Sequence, residues 1–270
     1  MPGGRLGALF PEANKVVIAM AHVPPLPGTP LYDEDAGIQG LVDSVGRDLE
    51  HLLVDGIDAV MFCNEGDRPY QLEVGPEIVA AMANVVGQLK PSDRPFGVDI
   101  LWDATAAMGL AIGTDASFVR EVVTGFYESD MGPWAPDPAP LARTRRACGA
   151  HDLALLMNIT PEFASRLGSR SAAQVARSVV VSSLPDAILV SGPMAGAGPD
   201  VAAVAEIKEA VGDDVWVFVN TGAKSTNIAE FLRHADGCIV GSDLKRDGGT
   251  WNPVDPDRVG RFLEAASAER

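Results

Sequence analysis

The chain has 270 residues, 47% of them hydrophobic, and 21 Lys and Arg stand against 37 Asp and Glu for a net charge of −16. That is enough apolar side chain for one large or two small domains. No run of about 18 uncharged apolar residues suggests a membrane span, and the acidic balance, with no basic cluster to offset it, argues against nucleic acid and anionic membrane surfaces as partners.

From the N-terminus, MPGGRLGALFPEANK has a short apolar centre but no long hydrophobic region and no small-residue cleavage site. It reads as a cytoplasmic start and not as a signal peptide. Eight apolar, β-rich runs follow along the chain: KVVIAMAH, IDAVMFC, PFGVDILW, FVREVVTGFY, LALLMNIT, DAILVSG, VWVFVNTG and GCIVGS. Between them lie stretches of helical spacing, among them GLVDSVGRDLEHLLVDG, GPEIVAAMANVVGQL, SAAQVARSVVVSSLP, DVAAVAEIKEAVG and NIAEFLRHA. Strand and helix alternate throughout, which predicts α/β with a parallel sheet, and the nearly continuous apolar strands fit a sheet covered on both faces.

Eight units in this length favour a single (β/α)8 barrel over residues 1–270 rather than an open doubly wound sheet. An open sheet would call for a glycine-rich turn after the first strand, where HVPPLPGTP stands instead. GPWAPDPAP interrupts the rhythm and reads as a long loop after the fourth strand, placed to act as a lid.

In such a barrel the functional loops follow the C-terminal ends of the strands. The last three strands end at Ser191-Gly192, Asn220-Thr221-Gly222 and Gly241-Ser242, small residues that leave the backbone open. Glycine allows close approach and outward-pointing amides favour an anion. Gly192, Thr221, Gly222, Gly241 and Ser242, with Lys224 and Lys245 just beyond, therefore form a candidate phosphate site.

His22 closes the first strand and should face the barrel mouth; His51, His151 and His234 fall in helices or at helix ends. Glu65 and Asp67 lie just past the second strand. Asp99 and Asp103 share parity with Leu101 on the third, so all three point to one side. His22, Glu65, Asp99 and Asp103 form a candidate acid–base group, and Glu65 with Asp103 a candidate seat for a divalent metal ion. The competing reading makes Asp67 and Asp103 loop or helix caps. Glu128 and Asp130 extend the acidic ring or are simply solvated. The absence of a lysine at the first six strand ends argues against Schiff-base chemistry.

Cys63, Cys148 and Cys238 form no disulfide framework or zinc motif, and Cys63 and Cys238 sit in apolar runs as buried thiols do. Arg143, Arg145 and Arg146 read as a solvated helix face. Homo-oligomerisation through apolar helical faces is compatible with the composition, although nothing marks the patch.

AMAHVPPLPGTP, SGPMAGAGPD and GCIVGSDLKRDGGTWNPVDPDRV resemble the BtpA family over nearly the whole chain. The resemblance implies a (β/α)8 barrel related to the phosphate-binding barrels. It also implies a role labelled photosystem I biogenesis, or a small-molecule role on sugar- or nucleoside-related phosphates. In the middle strands the chain departs from the family. Cys63 precedes Asn64 where a Glu-Asn pair is usual, with Glu65 one place later. Trp102, Asp103 and Ala104 replace Arg-Asn-Asp, and Asn158-Ile159 replaces Lys-His. The expectation is an enzyme acting on a phosphorylated small molecule by acid–base or metal-assisted chemistry (isomerase, lyase or glycosyl transfer), with a non-catalytic assembly factor as the alternative.

Overall fold

The computed structural model describes residues 3–270. In chain order the elements are α1 (Gly4–Leu9), β1 (Val16–His22), α2 (Gly37–Leu52), β2 (Ala59–Cys63), α3 (Pro76–Leu89), β3 (Phe96–Asp99), α4 (Ala104–Thr114) and β4 (Phe118–Val123). There follow β5 (Tyr127–Ser129), β6 (Gly132–Trp134), α5 (Ala139–Ala147), β7 (Ala154–Asn158), β8 (Ala164–Arg166), α6 (Ala172–Ser183) and β9 (Ala187–Val190). The chain ends with α7 (Val201–Val211), β10 (Trp216–Val219), α8 (Ile228–Leu232), β11 (Gly237–Val240), two 3-10 turns and α9 (Pro256–Ser267). Eight parallel strands close in the order β1-β11-β10-β9-β7-β4-β3-β2, the expected (β/α)8 barrel. All eight apolar runs supply one barrel strand each.

Alternation along each strand divides the core in two. Val17, Ala19, Val60, Phe62, Val217 and Val219 point outward against the helices. Val16, Ile18, Met20, Met61, Leu156, Leu189, Trp216 and Phe218 fill the lumen. The N-terminal segment takes part in the core: α1 buries Leu6, and Phe10 just beyond it joins the lumen cluster. The Trp216 indole N–H donates to the Gly3 carbonyl at 3.2 Å. The short apolar centre noticed in the sequence is the plug at the end of the barrel opposite the site.

The proline-rich break after β4 is not a bare loop. β5 and β6 form a hairpin that pairs with β8, from the loop after β7, as a separate three-stranded antiparallel sheet in the order β6-β5-β8. Trp134 from this hairpin packs edge-on against Trp102 at 5.7 Å between centroids and against Tyr127 at 5.6 Å. Arg145 in α5 is not solvated: it is buried and bonds Asp186 at 3.0 Å and the Leu153 carbonyl at 3.1 Å. No helix among the described residues is long and apolar enough to cross a membrane.

Candidate active site

The inward-facing positions that are apolar low in the barrel turn polar at its C-terminal rim. Following parity, the last inward residues are His22, Cys63, Asp99, Asn158, Ser191, Asn220 and Gly241, one from each strand except β4. That strand contributes two. Val119 pairs with Leu155 and Val122 with Met157, so Arg120 and Glu121 together oppose Leu156 in a β-bulge. Glu121 sits at φ 56, in the left-handed region that a β-residue with a bulky side chain rarely adopts. The extra residue turns both Arg120 and Glu121 inward and resets parity, so Val122 faces the helices while Val123 returns to the lumen.

Arg120 lies at the centre of the carboxylates. Its Nε is 3.2 Å from Asp99 Oδ2 and 3.1 Å from Glu121 Oε1, and one terminal nitrogen contacts Met20 Sδ at 3.5 Å. Burial by itself would lower the Arg120 pKa, but Glu121 and Asp99 raise it above its ordinary value, so the guanidinium stays charged. Burial pushes the Asp99 carboxyl up to about 7 against the pull of Arg120, with Glu121 adding to the rise. Burial likewise pushes Glu162 up to about 8, again with Glu121 adding. Glu65 is raised by burial too, opposed by Arg120 and by the Tyr70 hydroxyl, which donates to its Oε1 at 3.3 Å. Near neutral pH Asp99 and Glu162 can thus carry a proton beside the fixed charge of Arg120.

A network of side-chain amides fixes this group. Asn158 Nδ2 donates to Glu121, Glu162 and Ser191, and its Oδ1 accepts from the Thr160 amide. Asn220 Nδ2 donates to Glu121 at 2.8 Å and to Ser191 Oγ at 2.8 Å. That orientation leaves the buried Asn220 Oδ1 without a protein donor. Such an acceptor costs about 1–3 kcal/mol unless a ligand or water supplies the proton, which suits a hydroxyl or amine group of a bound molecule.

His22 is at the mouth, as expected. Burial lowers its pKa to about 3, with Lys245 adding, so it is neutral throughout the physiological range. Its Nδ1 lies 3.2 Å from the Thr250 carbonyl, which can only accept, so Nδ1 carries the proton. Nε2 then presents a lone pair, 4.0 Å from Glu65 Oε2. Gly241 lets this ring in, because a Cβ there would come within 2.9 Å of it.

One central cavity is lined by His22, Glu65, Arg120, Glu162 and Asn220 together with Thr221, Gly222, Lys224, Gly241 and Ser242. The amides of Gly222, Ala223, Ser242 and Asp243 donate to no protein acceptor among the described residues. Lys224 is exposed at the rim, and the Thr221 hydroxyl donates to Glu162. Ser242 Oγ lies 2.7 Å from Thr250 Oγ1.

Four expectations need correction. Lys245 does not reach this cavity: it is 1% exposed and its Nζ is 2.6 Å from Asp48 on α2, an ion pair that ties the loop after β11 to that helix. Gly192 lines a different cavity, and its lack of a side chain serves packing, because a Cβ would collide with the Ala197 carbonyl. Asp103 caps α4, accepting from the Thr105 and Ala106 amides at 3.0 Å and, through its other oxygen, from Val74 at 3.1 Å. The parity that joined it to Asp99 ends with β3. Glu65 and Asp103 therefore do not converge as a metal pair, and no group of three or more His, Cys, Asp or Glu among the described residues is placed to hold a metal ion.

Asp67 is a brace between loops, accepting from the Leu26 amide at 2.7 Å and from Asn64 Nδ2 at 3.0 Å. Glu128 and Asp130 are exposed. Cys63 is buried beside Asp99, its thiol 3.4 Å from Oδ2, and burial first, then these carboxyls, raise its pKa. Sequence reasoning missed Arg120, Glu121, Glu162, Asn158 and Asn220. The signal for the first two was present as an Arg-Glu pair inside the apolar FVREVV, since paired charges in a buried strand need a partner or a purpose.

The reassigned lysine yields a clean expectation. Lys245→Met strands the buried Asp48 carboxylate and should cost about 3–5 kcal/mol of stability, measured by urea unfolding, without weakening phosphate binding at the amides after β10 and β11 per folded molecule.

Fold and site define a (β/α)8 barrel with a polar cavity at the C-terminal mouth of its strands. The chain matches the model of the BtpA family over residues 13–268 and belongs to that family. It is 44% identical over 252 residues to the putative sgc region protein SgcQ of Escherichia coli K12, covering 93% of this chain and 94% of that protein. It is 29% identical over 258 residues to the photosystem I biogenesis protein BtpA of Synechocystis, covering 94% and 88%. Among solved structures, thiamine phosphate pyrophosphorylase from Pyrococcus furiosus superimposes with a TM-score of 0.57 at 14% identity, covering 95% of this chain and 96% of that one.

Proposed function

We propose that the protein is an enzyme acting on a phosphorylated, sugar- or nucleoside-related small molecule by acid–base chemistry. The observation that carries this reading is one cavity with two unlike halves. Unspent amides after β10 and β11, with Lys224 above them, suit a phosphate. Facing them, Glu65, Arg120 and Glu162 line the same cavity, with Asp99 and Glu121 buried against Arg120, and burial raises the pKa values of Glu65, Asp99 and Glu162. Asp99 and Glu65 are the proton-handling groups, and neutral His22 offers Nε2 as an acceptor beside Glu65. Arg120 supplies the fixed positive charge in the middle of the carboxylates. The barrel neighbour's name, a phosphate-handling enzyme, points the same way by analogy of fold. A divalent metal ion as cofactor belongs to this reading only if a substrate phosphate brings ligands of its own.

Inorganic phosphate or a phosphorylated ligand at ~100 times its dissociation constant should stabilise the fold by about 2.7 kcal/mol. Ser242→Asp should remove the share of that increment contributed by the amides after β10 and β11 and leave the circular dichroism spectrum native. Gly222 is unsuited to the same test, because at φ 75 it packs on Gly198 and any side chain would break the loop. Stabilisation undiminished in Ser242→Asp would place the anion elsewhere.

The name of the cyanobacterial relative favours a second reading, an assembly or stability factor that keeps the pocket as a sensor. A barrel with that role would not need its proton-handling atoms, and this separates the two readings.

A further inference from the structure

Beside the central cavity lies a second one of about 410 Å³, between α2 and the loop after β11. Arg47, His51 and Arg246 line it, together with Ser44 and Trp251. Asp48 is the only carboxylate on its wall, and both of its oxygens are spent, Oδ2 on Lys245 at 2.6 Å and Oδ1 on the Val254 amide at 2.8 Å. The Lys245–Asp48 pair sums to zero, which leaves the wall with the charges of Arg47 and Arg246. Neither guanidinium has a hydrogen-bond or ion-pair partner among the described residues, in a chain whose 37 acidic side chains outnumber its Lys and Arg. His51 adds a ring N–H in either protonation state.

Two further facts tie this basic cavity to the site. His22 and Thr250 line both cavities, so the two adjoin. Trp251 is held in place, with Arg68 stacked 3.6 Å from its ring centroid and its indole N–H 3.4 Å from the Glu65 carbonyl. A ligand in the second cavity therefore sits against His22, which separates it from the central cavity.

We propose that this cavity is a second oxyanion subsite, which takes a phosphoryl group on Arg47, Arg246 and His51. Guanidinium forks match phosphate oxygens in pairs, and their weak hydration makes them better suited to the task than ammonium groups. The phosphoryl group is either the far end of the molecule held at Thr221–Ser242 or part of a second substrate. Its use together with the first site rests on the function proposed above; its existence does not. Because both arginines are solvent-exposed, binding should weaken as salt rises.

Equilibrium dialysis with inorganic phosphate at low ionic strength tests the subsite. The wild type should bind two phosphates per chain, and Arg47→Gln/Arg246→Gln, which removes no buried contact, should bind one. Ser242→Asp should also bind one, the phosphate at the arginines. A wild type that binds one phosphate, unchanged in the arginine variant, overturns the subsite and leaves the first site standing. Binding that falls with the arginine variant but not with Ser242→Asp upholds the subsite and sinks the phosphate site after β10 and β11. Fructose 1,6-bisphosphate separates the two sources: one molecule displacing both phosphates joins the subsites in one substrate, and two molecules per chain assign them to separate ones.

Discussion

Arg120→Met should destabilise the protein by about 3–5 kcal/mol, because it removes the one cation from a buried group of carboxylates. Asp99 is 0% and Glu121 1% exposed, so water cannot replace the guanidinium. The loss should depend on pH, and its sign can be worked out. Asp99 holds its proton more tightly folded, at about 7, than unfolded, near 3.8, so its ionisation draws stability out of the fold as pH rises between those values. Glu162 acts in the same sense between 4.5 and about 8. His22, depressed from 6.5 to about 3, works oppositely and adds stability as pH rises through that window. Without Arg120 the carboxyls rise further, so the variant should lose more at pH 8.5 than at pH 5.5. Urea unfolding at both values reads this directly. Adding Asp99→Asn and Glu121→Gln to Arg120→Met should restore most of the loss, since the two carboxylates that Arg120 contacts directly are then neutral. A triple variant no more stable than the single one would show that Arg120 acts by packing and not by charge.

Asp99→Asn and Glu65→Gln should each lower turnover by about 10²–10⁴-fold while phosphate-dependent stabilisation survives. The assay would use whichever phosphorylated compound gives the largest thermal shift. His22→Gln belongs with them, because its Nε2 acceptor faces Glu65. Asp99→Asn should in addition raise stability at pH 8.5, where the wild-type carboxyl is forced to ionise in a buried place. Loss of activity with a gain in stability is the signature of a strained functional group. An assembly factor makes the opposite forecast: a deletion strain carrying all three substitutions would be fully rescued. That result would end the enzyme reading and leave the altered middle strands as remains of an older site.

The barrel could be read from the sequence because its strands are buried on both faces. A parallel strand between helices and lumen has no polar side to interrupt it, so KVVIAMAH or VWVFVNTG stands out as an unbroken apolar run. His22 and Asp99 were legible for a related reason. His22 ends its run and Asp99 interrupts one, both on the lumen parity, where a polar residue has no structural excuse. The loops after β10 and β11 were found because small residues at two neighbouring strand ends have a physical meaning for an anion.

What the sequence left undecided were the places where one residue changes the geometry of its neighbours. Strict alternation lets only one of Arg120 and Glu121 face inward, and only the bulge at Glu121 puts both there. Asp103 lost its place in the site because β3 ends at Asp99, so parity stops carrying information four residues too soon. Lys245 looked like a phosphate ligand by position, but Asp48, 197 residues earlier in the chain, claims it. Asn158 and Glu162, from the end of β7 and the loop after it, acquire a role only where the barrel brings them to Glu121, Asn220 and Thr221. Local pattern fixes which strands form and which side they bury, since that depends on burial alone. Pairing between distant polar groups depends on where the closed barrel brings them, and that was decided by the tertiary structure.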